Sequence, residues 1–181
     1  NDQTTSDITV YKDYASTNQI PLQLQEVTDN YLQPASQQGK VVQFEYTSYT
    51  YDAENRSMNK YAYVYVPYGY ATSDEKYDVF YVMHGHTGDV TTFIGDLDDP
   101  RDMKNVLDHL IEKGEQKPML IVFASYYHDN IEADTDNYDV DLLRSFKYEL
   151  QNDLMPQFES TYRTYANSIT SVTLYHLVVL Y

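Results

Sequence analysis

A short apolar run that stops at a histidine and a glycine loop constrains the fold of this chain more than any other stretch. Val79-Phe80-Tyr81-Val82-Met83 is continuously apolar, and His84-Gly85-His86-Thr87-Gly88 follows at once. A run without polar alternation fits a strand covered on both faces, as in a parallel sheet flanked by helices. Pro118-Met119-Leu120-Ile121-Val122-Phe123-Ala124 reads as a second strand of the same kind. Between them, Met103, Val106, Leu107, Leu110 and Ile111 recur at helical spacing. Asp99 before Pro100 reads as the N-cap of that helix, and Gly114 as its end. Leu142, Leu143, Phe146, Leu150, Leu154, Phe158 and Tyr162 mark a second amphipathic helix, which Pro156 is expected to kink or restart. Buried strands alternating with helices predict an α/β fold with a parallel sheet. Sites in such sheets lie at the carboxyl ends of the strands, where His84–Gly88 and Ser125-Tyr126-Tyr127-His128 both fall.

The upstream part has a different rhythm. Val42, Phe44 and Tyr46 alternate with Gln43, Glu45 and Thr47, and Tyr61 to Val66 alternate again. The polar stretch Asp52–Ser57 separates the two runs, so they read as an antiparallel hairpin. Residues 1–38 are polar, weakly patterned and carry Pro21 and Pro34, which predicts an extended lead-in before a single domain over 39–181.

Composition removes several function classes. A formal charge of −16 disfavours a nucleic-acid partner or an anionic membrane surface. No run reaches the ~20 apolar residues of a membrane-spanning helix. There is no Cys, so disulfides, a thiol nucleophile and Cys-ligated metals are out. The N-terminus has neither a basic nor an apolar signal region, so the chain is either cytoplasmic or one whose signal peptide has been removed; its polar residues read more like the start of a mature secreted chain. The 21 tyrosines suit amphipathic strands and also sugar- or aryl-facing surfaces.

Candidate chemical residues cluster at the two strand ends. His84, at the strand end, is a candidate general base. Ser125 lies at the other strand end but lacks a Gly-x-Ser-x-Gly elbow, a motif found nowhere in the 181 residues. Tyr126 and His128 are candidates to border a substrate pocket. His109, mid-helix, reads as packing or surface. The acidic loop Asp129–Asp139 and the group Asp96, Asp98, Asp99 read as solvated carboxylates; the loop misses the calcium-loop pattern. No two-histidine metal spacing occurs, so neither a metal nor another cofactor is expected.

Taken in order, these segments resemble the feruloyl and acetylxylan esterases of carbohydrate esterase family one, a group of α/β-hydrolases. The resemblance rests on Tyr61-Ala62-Tyr63-Val64-Tyr65-Val66-Pro67-Tyr68-Gly69-Tyr70, on Lys76 to Gly88, on Asn105 to Glu115, and on Glu149 to Tyr162. It covers about residues 40 to 166. It implies the N-terminal part of an α/β-hydrolase fold, a hairpin leading into a parallel sheet with helices. It also implies ester hydrolysis through a serine acyl-enzyme on cell-wall polysaccharide esters, feruloyl or acetyl groups on xylan. Gly85 or His86 would then supply a backbone N–H to the oxyanion hole, with His84 holding the loop. His86 and Thr87 stand where relatives often carry glycine, which makes this loop stiffer and bulkier.

The nucleophile elbow expected after Ala166 does not appear; the residues run Ile169-Thr170-Ser171-Val172-Thr173-Leu174-Tyr175-His176. The resemblance therefore names no catalytic serine, acid or base in this chain. We expect a chain truncated before the elbow and inactive by itself, by a frameshift near Asn167 or by a divergent apolar tail. Expected partners are a polysaccharide or aryl-ester substrate and other modules of a larger enzyme. The rival reading is a non-catalytic carbohydrate-binding or interaction domain, which antiparallel rather than buried parallel strands would favour.

Overall fold

Inward and outward residues alternate along a long hairpin that opens the sheet. Strands β1 (Lys40–Tyr49) and β2 (Ser57–Val66) pair antiparallel from Lys40↔Val66 to Tyr49↔Ser57. The Asp52 carboxylate closes the connection by accepting from Thr50 Oγ1 and the amides of Glu54 and Asn55. This is the side-chain turn chemistry that favours Asp in such loops. The computed structural model describes residues 26–127 and 138–165, together with the backbone of 177–179.

Three further strands complete the sheet: β3 (Asp78–Met83), β4 (Met119–Ala124) and β5 (Leu177–Val179). Their spatial order is β1-β2-β4-β3-β5. β2 runs antiparallel to β4, whereas β4 and β5 flank β3 in parallel. The expected α/β architecture, a hairpin joined to parallel strands, is therefore present, and the hairpin docks on β4 rather than on β3. The connection from β3 to β4 carries a single helical turn, Thr91–Ile94, and the helix α1 (Asp102–Glu112). After β4 come α2 (Tyr138–Glu149), a π-helical segment (Leu150–Leu154) and α3 (Met155–Thr161).

Side-chain period explains both cores. In β4, Leu120, Val122 and Ala124 face one side and Ile121 and Phe123 the other. The first side packs with Phe44, Val64, Tyr81 and Met83 against Leu142, Phe146, Leu150, Leu154 and Phe158 of the C-terminal helices. The second packs with Tyr63, Tyr65 and Val82 against Ile94 and Leu107. A buried Leu, Val or Phe contributes ~1.5–3 kcal/mol, so these two layers are the main stabilising term.

The helix ends test the sequence reading. Gly114, at φ +71°, ends α1 as expected. Its amide donates to Ile111 O and the Glu115 amide to Leu110 O, the paired bonds of a Schellman cap. The N-cap expectation at Asp99 is corrected, because α1 begins at Asp102 with Arg101 in the cap position. The physical reason lies upstream: Pro100 bridges to Gly95, and the Arg101 amide donates to Ile94 O over 2.8 Å, which holds these residues extended. Pro156 falls in the first turn of α3, and the π-helical widening just before it accommodates the missing N–H.

The lead-in is partly ordered onto α1. Asp29–Leu32 forms one helical turn, Asn105 donates to Leu32 O, and the Gly39 amide donates to the buried Asp108 carboxylate. Tyr65 OH and Lys104 Nζ donate to the same carboxylate. His109 contacts Gln33 O and the Tyr31 ring, as a packing residue does. Among the described residues, no helix is long and apolar enough to cross a membrane. The acidic loop up to Asn137, His128 and the expected frame change near Asn167 lie outside the described residues, apart from the backbone of β5.

Candidate functional site

Register brings the two strand-end loops together. β3 and β4 are parallel with Met83 opposite Ala124, so the next residues, His84 and Ser125, leave the sheet side by side. Both are buried, with 1% and 8% of their surfaces exposed. His84 Nδ1 lies 2.7 Å from the Gly85 carbonyl, which only accepts, so Nδ1 carries the proton. Nε2 is then the acceptor, and the Ser125 hydroxyl donates to it over 2.8 Å. Ser125 Oγ in turn accepts the Tyr127 amide at 3.1 Å. The imidazole stacks on the Tyr127 ring at 5.4 Å and lies tilted against Tyr126 at 4.6 Å.

The loop itself is a tight turn. The Gly88 amide donates to Gly85 O over 3.2 Å, and Thr87 has φ +63°. A positive φ at the third residue of a turn normally selects Gly or Asn, so Thr holds a strained conformation here. Gly88 has a different reason to be glycine. A Cβ there would lie 2.7 Å from Thr92 Oγ1 and 2.8 Å from His84 Cβ, so only a bare backbone can pack on the histidine.

The Gly85 carbonyl is held from several sides, by His84 Nδ1, by the Gly88 amide and by a long 3.5 Å contact from Tyr126 OH. A trans peptide is planar, with its C=O and the next N–H pointing opposite ways. Pinning Gly85 O toward the buried rings therefore aims the His86 N–H away from them.

Below this pair sits a buried charge network. Lys60 Nζ donates to Ser125 O at 2.8 Å and pairs with Glu149 at 2.7 Å. Tyr46 OH donates to the same carboxylate, while Ser48 and Tyr51 donate to Asp153. Burial pushes the Glu149 carboxyl up, with Lys60 and Tyr46 pulling against it. Burial beside Glu149 pushes the Tyr46 hydroxyl well up, and burial, with the hydrogen bond to Asp153, pushes Tyr51 up to about 12. Among the described residues, no group of three or more His, Asp or Glu is arranged to hold a metal ion, and Asp96, Asp98 and Asp99 are exposed.

No family model matches the sequence. The chain is 33% identical over 150 residues to endo-1,4-beta-xylanase Y of Acetivibrio thermocellus, which covers 82% of this chain and 12% of that protein. In structure it is similar to a serine-to-alanine mutant of the feruloyl esterase module from Clostridium thermocellum complexed with sinapinate. That match has a TM-score of 0.61 and 32% identity, over 82% of this chain and 45% of the module. The chain is related to the CE1 feruloyl esterases. A CE1 ferulic acid esterase from Anaeromyces mucronatus shares the fold at a TM-score of 0.60 and 21% identity, over 80% of this chain and 52% of that one.

Against the feruloyl-esterase fold, the sequence-derived candidates separate. Gly85 and His86 lie in the turn after β3, with Gly85 half-buried and His86 exposed. Tyr126 is buried in the core beneath the loop, at 4% exposure. Its neighbour Tyr127, half-buried and stacked on His84, was not singled out from sequence, nor was Lys60. Lys60 was legible in principle, since it keeps the period of the inward-facing Ala62 and Val64.

Proposed function

We propose that this chain is the oxyanion-loop part of a carboxylic-ester hydrolase that acts on ester groups of plant cell-wall polysaccharide by serine acyl-transfer. The supporting observation is the lock from Ser125 through His84 to the Gly85 carbonyl, which aims the His86 N–H. Such a preset donor is what a developing oxyanion needs, because it stabilises charge without reorganising during reaction. His86 is the better of the two oxyanion candidates, since the Gly85–His86 peptide is pinned through its carbonyl.

His84 is a positioning residue in this reading, and Ser125 is not the nucleophile. Both are buried, the imidazole proton goes to a backbone carbonyl instead of a carboxylate, and the hydroxyl is engaged by His84 and the Tyr127 amide. A nucleophile needs an open face toward the scissile carbonyl. The half-buried Tyr127 ring beside the loop favours a feruloyl over an acetyl substituent, because an acetyl group offers no ring to stack. The chain spans 45% of the feruloyl esterase module it matches and 12% of the xylanase, so other parts would supply the nucleophile, acid and base. The xylanase relative supports an extracellular setting.

The test is ferulate binding to the 181-residue chain, with Tyr127→Ala beside it. Weak binding that falls by about two- to tenfold in Tyr127→Ala is expected, one lost stacking partner being worth about 0.5–1.5 kcal/mol. No serine-reagent-sensitive hydrolysis of methyl ferulate by this chain alone is expected. Unchanged affinity in the variant, or sustained hydrolysis by the wild-type chain, contradicts the reading.

A further inference from the structure

The outer face of the β1–β2 hairpin carries a feature that ester chemistry does not use. Glu45, Thr47, Asn59, Tyr61 and Gln157, together with Tyr46 and Lys60, line an open depression of about 480 Å³. That lies within the ~300–1,000 Å³ of small-ligand sites. Tyr61 is 41% exposed, and its ring lies 5.8 Å from that of Tyr63, two residues on along the same face. Glu45 is opposite Tyr61 and Thr47 opposite Asn59, so the lining residues form two adjacent cross-strand pairs. Lys60, behind them, reaches Ser125 O, which places the depression at the same end of the sheet as the His84–Gly88 loop.

The groove is also held in shape. The Gln157 side chain accepts the Thr47 amide at 3.1 Å and donates to Thr47 O at 2.8 Å and to Asp153 O at 2.9 Å. It thereby occupies the outward backbone groups of an edge strand at this point. A peptide adding to that edge would need those two groups, so an extended polypeptide is a poor occupant. A polyanion is a poor occupant too, given the net charge of −16, a carboxylate in the lining, and a lysine there whose ammonium is already held by Glu149 and Ser125 O. What remains is a neutral, hydroxyl-rich ligand with a flat apolar face. Pyranose rings have that character: C–H groups for a Tyr ring, and hydroxyls for Asn, Thr, Gln and Glu side chains.

We propose that this groove docks an unesterified stretch of neutral polysaccharide main chain, with Tyr61 as the stacking platform and Asn59 and Thr47 as hydrogen-bonding groups. The proposal rests on the polysaccharide-ester reading and adds a second contact with the same substrate. A main chain held here would raise the local concentration of its ester groups near the loop, since two linked contacts make the second encounter intramolecular.

The test titrates xylohexaose, which carries no ester, into the 181-residue chain while backbone amides are followed by NMR. Amide shifts confined to residues 45–47 and 59–61 are expected, with affinity reduced about tenfold in Tyr61→Ala and several-fold in Asn59→Ala. Both side chains are exposed, so the variants should fold, which circular dichroism checks. Absence of shifts at these amides, undiminished affinity in Tyr61→Ala, or equal binding of polygalacturonate would overturn the proposal. Ferulate binding at the loop without xylohexaose binding defeats only this groove; xylohexaose binding without ferulate binding defeats the esterase reading instead.

Discussion

Thr87 shows how one residue sets the mechanics of the loop. Its φ of +63° puts a β-branched side chain in the left-handed region, which costs ~1–2 kcal/mol. Glycine relieves that strain but adds ~0.5–1 kcal/mol of chain entropy lost on folding. The strain is the larger effect, so Thr87→Gly should stabilise the chain by up to about 1 kcal/mol, read as a rise in thermal midpoint. A fall in midpoint would mean the threonine side chain makes contacts that outweigh its backbone. The family resemblance already marked this position as one where glycine is usual, but the sign of φ there needed the structure. Tyr127 was illegible for a different reason: its role depends on stacking against a residue 43 positions earlier (127 − 84). No local pattern reports that.

Elements carry the buried charges. Glu159 on α3 accepts from Tyr81 OH at 3.0 Å, and burial raises its pKa above the ordinary 4.5. A folded-state pKa above the unfolded one favours folding while the group is protonated, and that contribution is lost as pH rises through the folded value. Glu159→Gln keeps an acceptor for Tyr81 and removes the titration. Its thermal midpoint should therefore gain on the wild type between pH 4 and pH 7, whereas a constant gap would contradict the assignment. The Lys60–Glu149 pair between β2 and the end of α2 behaves otherwise. Lys60→Met leaves Glu149 buried without its cation and should cost about 3–5 kcal/mol. Adding Glu149→Leu should recover part of that, with Tyr46 OH and Ser125 O still unpaired at ~1–3 kcal/mol each. Urea midpoints of the two single variants and the double variant give the coupling, and strict additivity would show that the pair does not interact.

At the scale of the whole molecule, the elements were largely legible and their arrangement was not. The hairpin follows from a period of 2, both amphipathic helices from a period of 3.6, and the two buried strands from unbroken apolar runs in the sequence. The sheet order does not, because β2 docking on β4 is a long-range choice set by packing on both faces. The start of α1 was misread for a similar reason, since a bond from Arg101 to Ile94 overrode the local Asp-Pro signal. The place of the loop in the fold was legible, because it follows directly from the carboxyl end of β3 whichever strands flank that strand. The lock was not, because it joins His84 to Ser125 only through the parallel register.

That lock is the central claim, and a ferulate titration followed at individual backbone amides tests it most directly. The account predicts shifts at Gly85 to Gly88 and at Tyr127, with the His86 amide moving most, and loss of the His86 response in Ser125→Ala while ferulate is still bound. Shifts that spare the loop, or a His86 response unchanged by Ser125→Ala, would contradict it.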